Sequence, residues 1–300
     1  MLTWLTDDHE EQQWFEDMRR RLQDVIDRVF TGSNGFFAKT SSRSAKDACI
    51  FHEEFFHFYR NQLSTFPDPK QENARITALL TAAFLSLRMT CALDVLSVFV
   101  VSERIYQDML LATEAHERSQ TPFIENIILR PFVPIDVDME FRGFVFQRRL
   151  TCLSQYNYLI YSQRLCQWKD SIGEKITSFF NETIREKLKD YRSDNYVIDF
   201  ALANTGECVF TRALNSFLVD GVLADEGLQG MRIWVIELNP FMETTDGALF
   251  SWEHERHLLE RQSDDNHSSV LFRVTEKERP GSSAMLPTSI RQWISKDNQT

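Results

Sequence analysis

Apolar positions in the first third of the chain recur at helical spacing. Over residues 8–30, Trp14, Met18, Leu22, Val25, Ile26 and Val29 form one stripe behind an acidic start, which predicts an amphipathic helix with that stripe inward. Thr31–Gly35 reads as a turn, and Gly35–Lys39 as a strand that delivers a lysine from an apolar run. A second helix is predicted from near Ser44 to about Leu63, with Phe51, Phe55, Phe58 and Tyr59 inward, before Phe66–Pro69 breaks the chain. Ala74 to about Met89, rich in Ala and Leu, predicts a core helix. Val95–Val101 is apolar and rich in β-branched residues, so it predicts a buried strand. A helix from Ser102–Glu103 to Leu111 and a polar loop over Ala112–Thr121 follow.

The rest of the chain favours strands. Ile124–Val133 begins as one and stops at Pro131; its exit through the short apolar connection Pro131–Val133 suits a hinge, with backbone groups and apolar walls of the kind adenine needs. Met139–Phe146 alternates, with Glu140, Arg142 and Phe144 on one face and Phe141, Gly143 and Val145 on the other. A turn at Arg148 and Arg149 returns it as a second strand over Leu150–Gln155. Residues 163–190 predict a long helix with Ile172, Ile176, Phe179, Ile184 and Leu188 inward. Tyr196–Phe200 is a strand carrying Asp199, and 201–231 an elaborated hairpin connection. Ile233–Ile236 reads as a strand buried on both faces, leading to Glu237, Asn239 and Pro240. A helix over about Trp252–Arg261, an edge strand over Ser268–Val274 and a loosely ordered tail over 276–300 complete the pattern.

Three hundred residues with 43% hydrophobic content and 24 Phe exclude a disordered chain and allow one large domain or two intimate ones. The net charge of −11 argues against sequence-independent nucleic-acid binding, which needs a basic footprint, so no nucleic-acid partner is expected. A polyanion such as ATP would then need strong local counter-charge. The five cysteines, Cys49, Cys91, Cys152, Cys166 and Cys208, contain no CxxC pair and follow no signal-like N-terminus, so reduced thiols and a cytoplasmic location are expected. The best candidate for a membrane span, Val95–Val101, is far too short, so no membrane partner is expected either.

Chemistry concentrates in a few places. Glu237 and Asn239, two apart on a strand, project a carboxylate and an amide oxygen from one face, a hard-oxygen pair suited to Mg²⁺; two ordinary polar residues at a strand end are the plain alternative. Lys39–Asp47 is dense in hydroxyls and cations and opens into the predicted helix near Ser44, a plausible anion cradle. Asp199, among apolar neighbours, needs a partner or a metal. His52 and His57 are five apart, and His254 and His257 lack cysteines nearby, so no zinc site is expected.

Taken in order, Phe37–Lys39 with Ser44–Ala48, Ile128–Arg130, Glu140–Arg142, Ser154–Gln155, Tyr196–Asp199, Ile236–Phe241 and Leu249–Trp252 resemble the cell division cycle protein 123 family of divergent ATP-grasp proteins. The resemblance implies an α+β, ATP-grasp-like fold of two α+β lobes with the nucleotide between them. The N-terminal lobe would cover 1–130 and the C-terminal lobe 131–275. It further implies that Lys39 contacts phosphate, with Ser42 and Ser44 in the covering loop. Arg130, Pro131, Phe132 and Val133 would lie beside adenine, Glu140 and Arg142 would line the pocket, and Asp199, Glu237 and Asn239 would hold Mg²⁺. Glu237-Leu238-Asn239-Pro240 stands where the family usually has Asp-Phe-Asn-Pro, and Glu-x-Asn is the pattern of typical ATP-grasp ligases. Ser42 replaces an aromatic, Tyr156 an arginine, and 201–231 exceeds the family's hairpin.

Only 38 residues precede Lys39, without the Cys-, Trp- and Tyr-containing leader of members that assemble eukaryotic translation initiation factor 2. The expectation is therefore an ATP-dependent carboxylate–amine ligase acting through an acyl phosphate on unidentified carboxylate and amine substrates, with Lys39 and Arg142 catalytic. An assembly chaperone that binds the gamma subunit of that factor is the alternative. A nucleotide-binding module with a degraded active site is the third reading.

Overall fold

The computed structural model describes residues 9–33, 35–119, 124–204, 230–261 and 269–286, together with Leu228 and Ile290. Cys208, most of the predicted connection over 201–231, Ser268 and much of the predicted tail lie outside the described residues. Helices and strands mix in two compact units, one of residues 1–62 with 78–133 and one of residues 63–77 with 134–300. Among the described residues, no helix is long and apolar enough to cross a membrane.

In the first unit, α1 (His9–Val29) packs beside α4 (Ala92–Val100) and β1 (Phe36–Thr40). Its inward face is narrower than the predicted stripe. Leu22 and Ile26 are buried, whereas Trp14, Val25 and Val29 are exposed, because this core covers one side of the helix only. The continuous helix predicted from Ser44 does not form. A 3₁₀ turn, Cys49–Phe51, precedes α2 (Phe55–Leu63), and Phe51 is exposed. The break lies at His52, whose backbone is extended at φ −68° and ψ 134°, while upstream the Asp47 carboxylate accepts the Ser102 hydroxyl at 2.8 Å and the Arg104 amide at 3.1 Å. α3 (Glu72–Leu85) gives its first turns to the second unit and the rest to the first.

The strand predicted over Val95–Val101 is the helix α4. An apolar run carries no period that separates strand from helix, and the cap decides: Asp94 accepts the amides of Thr90 at 2.7 Å and Cys91 at 3.1 Å. α5 (Glu103–Ser119) takes up the predicted loop from Ala112 to Ser119, and Glu114 and Arg118 there form an ion pair at 3.0 Å on its surface; residues 120 and 121 of that loop lie outside the described residues. β1 pairs antiparallel with β2 (Ile127–Pro131), from Phe36 opposite Pro131 to Thr40 opposite Ile127.

The second unit carries a five-stranded sheet in the order β6 (Met231–Pro240), β5 (Tyr196–Asn204), β3 (Glu140–Phe146), β4 (Arg149–Gln155), β7 (Leu271–Arg273). β3 and β4 form the predicted hairpin, its turn one residue earlier than expected. Gln147 and Arg148 hold positive φ of 49° and 60°, and their backbone N–H groups donate to Asn195 Oδ1 and the Asp194 carbonyl, both at 2.8 Å. α6 (Gln163–Phe179) continues through a π turn, Phe180–Ile184, into α7 (Arg185–Lys187). It lays Ile172, Ile176, Phe180 and Ile184 on the sheet face formed by Phe141, Val145, Leu153, Ile198 and Phe200. β5 pairs antiparallel with β3 and with β6, while β7 runs parallel to β4.

Two further expectations fail here. β6 is not buried on both faces: among the described residues it is the sheet edge, and Trp234 and Val235 are exposed. The helix predicted over Trp252–Arg261 shrinks to α8 (Arg256–Leu259); Glu255, just before it, has a non-helical backbone at φ −124° and ψ 19°, and its carboxylate accepts the Ser251 amide at 3.1 Å.

Candidate functional site

Directly opposed residues in neighbouring strands share a face, and in the second unit this rule draws a polar row across all five strands. Glu237 of β6 lies opposite Asp199 of β5, which lies opposite Arg142 of β3, then Ser154 of β4, then Arg273 of β7. One step along, Asn239, Val197, Phe144, Cys152 and Leu271 line up the same way. The apolar members of that second row pack under Phe250, Trp252 and Leu259, so the polar row has an aromatic floor beside it.

Arg142 and Asp199 are 6% and 3% exposed. The guanidinium forks the carboxylate through Nε and Nη2, both at 2.8 Å, and Nη1 donates to the Asp246 carbonyl at 2.7 Å. It also lies 4.8 Å from the centre of the Tyr156 ring. Burial opposes the charge on Arg142, but the fork to Asp199 outweighs it and holds the guanidinium protonated well above its ordinary range. The Asp246 carbonyl is fixed by a tight loop. Asp246 Oδ1 accepts the Ala248 amide at 2.8 Å, and a Cβ on Gly247 would meet the Phe250 carbonyl at 2.2 Å, so only glycine fits.

Asp199 accepts a third donor, Asn239 Nδ2 at 3.1 Å. With its amide nitrogen turned to Asp199, Asn239 keeps Oδ1 as an acceptor. A register shift between Asp199 and Phe200 leaves Ile236 as the extra residue of a bulge immediately before Glu237. Asp199, Glu237 and Asn239 thus bring two carboxylates and one amide oxygen to neighbouring positions. In chemical type these are donors that Mg²⁺ takes, one or two carboxylates with water and phosphate oxygens completing the shell, but both Asp199 oxygens already accept from Arg142 and one also from Asn239, which leaves Glu237 and Asn239 Oδ1 as the main donors to a cation. Among the described residues, no cluster of three or more His, Cys, Asp or Glu is placed to hold a metal ion.

Glu140 shares the face of Arg142, as the alternation predicts; Asn157 Nδ2 donates to Glu140 Oε2 at 3.4 Å, while Arg142 turns to Asp199. The row ends in Arg273, which forks Glu255 with two bonds of 2.8 Å and lies 4.3 Å from the Phe250 ring centre.

The first unit holds the phosphate-loop candidates. Lys39, half-buried, lies opposite Ile128, and Arg130, opposite Phe37, stacks on that ring at 4.7 Å. Pro131 faces Phe36, the Phe132 amide donates to the Gly35 carbonyl at 3.3 Å, and the Phe132 ring meets Phe84 at 5.2 Å. Val133 is half-buried and closes the unit. After β1 the chain turns tightly: the Thr40 amide donates to the Arg43 carbonyl at 2.8 Å and the Arg43 amide returns to Thr40 Oγ1 at 3.0 Å. Ser42 Oγ lies 3.1 Å from Thr40 Oγ1, and Ser44 is buried at the foot of the turn. Arg43 forks Asp108 at 2.6 and 2.9 Å, and the Ser42 amide donates to Glu125 Oε1 at 3.0 Å.

Sequence reasoning missed Asp108, Glu125, Asp246 and Glu255. The Asp246-Gly247 turn leaves a local signature and Glu255 has one local partner in the Ser251 amide; Asp108 and Glu125 meet theirs across long stretches of chain. Cys49, Cys91, Cys152 and Cys166 are free thiols, and burial pushes Cys49 up to about 12 and Cys152 up to about 11.

The D123 family model matches residues 78–297. A curated relative from Xenopus laevis, "Translation initiation factor eIF2 assembly protein", is 27% identical over 221 residues, covering 72% of this chain and 57% of that protein. A protein of the same name from Ajellomyces capsulatus is 29% identical over 165 residues, 55% of this chain and 32% of that one. The chain therefore spans about a third to somewhat over half the length of these curated relatives. Among solved structures, Cdc123 from Schizosaccharomyces pombe matches 86% of this chain and 79% of its own, at 20% identity and a TM-score of 0.53. That likeness is one of fold.

Proposed function

The chain belongs to the D123 family, and from that premise we propose that it is an ATP-dependent assembly factor for translation initiation factor eIF2. The observation that carries the proposal is the shared name of the curated relatives, eIF2 assembly protein; the family model's match separately takes in the row from Arg142 to Asn239. This reverses the order expected from the sequence, in which the ligase came first: no relative reported above is named for ligase chemistry.

The nucleotide part of the reading is an ATP-grasp-like use of Mg·ATP. Lys39 would offer its ammonium to phosphate, and the loop of Ser42 and Ser44 would cover it. Arg130, Pro131, Phe132 and Val133 would border the adenine, with Glu140 lining the pocket. Asp199, Glu237 and Asn239 would hold Mg²⁺, whose charge would neutralise and orient the phosphates when bound. Arg142 acts here as a positioning residue: three of its N–H donors already go to Asp199 and Asp246, which fixes Asp199 beside Glu237. The same commitment weakens the case for Arg142 as a group that stabilises an acyl-phosphate transition state.

The test is a sedimentation experiment with the full chain and the gamma subunit of eIF2, with and without Mg·ATP. A complex that tightens with Mg·ATP is expected, and no complex in either condition would remove the assembly reading. The ligase reading keeps one specific support, the Glu237-x-Asn239 pattern. It stands or falls on ADP release in the presence of pooled carboxylates and amines.

A further inference from the structure

The turn after β1 already holds an anion, and that anion belongs to the chain. Glu125 Oε1 accepts both the Ser42 amide, at 3.0 Å, and the Ser41 hydroxyl. The loop is brought there by the β1–β2 ladder running one step further: the Ser41 amide donates to the Asn126 carbonyl at 2.9 Å, and the Asn126 amide to Ser41 Oγ at 3.2 Å. A main-chain N–H and a hydroxyl converging on one oxygen are the donors with which phosphate-binding loops hold a phosphate. The cation within the turn does not relieve the crowding of a second anion, because Arg43 is forked to Asp108. A carboxylate and a phosphate oxygen cannot both take the Ser41–Ser42 donors.

We propose that Glu125 is an internal competitor for phosphate on this loop, so that a nucleotide must displace its carboxylate and Glu125 sets the affinity. The proposal rests on the nucleotide reading above and deepens it, since it makes the phosphates, and not the base, the part of the ligand that Glu125 opposes. If Glu125 were instead a strut for the loop, its removal would loosen the turn and weaken binding.

The two roles give opposite signs in calorimetry on the full chain, titrated with Mg·ATP and with adenosine. Glu125→Gln keeps an acceptor of the same shape and removes the charge. It is expected to bind Mg·ATP about tenfold tighter than the natural chain, the scale of one hydrogen bond to a charged group, with adenosine affinity unchanged. Glu125→Ala is expected to change in the same direction. Unchanged or weaker Mg·ATP binding by the Gln variant, with the natural chain still binding, overturns the competitor and leaves the nucleotide reading standing. Equal gains for ATP and adenosine also overturn it, because the gain then lies away from the phosphates. Absence of ATP binding by every chain removes the nucleotide reading and this proposal together.

Discussion

At the scale of single residues, the Arg142–Asp199 pair is an all-or-nothing contact. Two buried charges that fork each other offset their desolvation, whereas either one alone does not. Arg142→Met is therefore expected to cost about 3–5 kcal/mol in urea unfolding, with Asp199 left among Phe144, Val197 and the aromatic floor. Adding Asp199→Leu should recover much of that loss, and a single variant within 1 kcal/mol of the natural chain, roughly the spread of an ordinary surface change, would contradict the described burial. The sequence makes half of this legible. A carboxylate within Tyr196–Phe200 demands a partner, but period-two alternation sees only one strand at a time, and so sets Arg142 beside Glu140. Its true partner lies 57 positions away. Glu125 and Ser42, 83 positions apart, are beyond any local pattern for the same reason.

At the scale of elements, legibility follows periodicity. The β3–β4 hairpin and α6 carry clear periods and form close to where they are expected, the hairpin turn shifted by one residue and the helix interrupted by a π turn that buries Phe180 in place of Phe179. α4 carries none, and its identity is fixed by Asp94, whose carboxylate takes the Thr90 and Cys91 amides at the helix start. Burial pushes the Asp94 carboxyl up, but the hydrogen bonds from Thr90 and Cys91 prevail and hold it below its usual range. A carboxyl lowered by folding stabilises the protein above its unfolded value, near pH 3.9 for aspartate, and this contribution fades as pH falls through the folded value. Asp94→Asn keeps an acceptor and removes the charge, so it is expected to lose about 0.3–1 kcal/mol near neutral pH, the usual worth of a carboxylate at a helix N-terminus. The gap to the natural chain should close below about pH 4 in parallel denaturation series. A gap that persists undiminished into acid would show that the charge is not what caps α4.

At the scale of the whole molecule, a chain with net charge −11 that binds a polyanion needs its positive charge concentrated, and under the proposed reading a bound cation supplies part of it. Glu237→Gln is then expected to weaken Mg·ATP binding about tenfold or more in calorimetry; unchanged affinity would sink the cation assignment. The row from Glu237 to Arg273 has one more property. It exists only while five strands keep their mutual alignment. A slip of β6 by a single residue would send Glu237 and Asn239 to the α6 side, against Ile198 and the apolar face of that helix, carry Leu238 off that face, and strip Asp199 of the Asn239 amide. The donor set is thus a proofreader of its own sheet: misaligned chains carry a buried polar defect and lack the site, so the assembled row is present only in correctly folded copies.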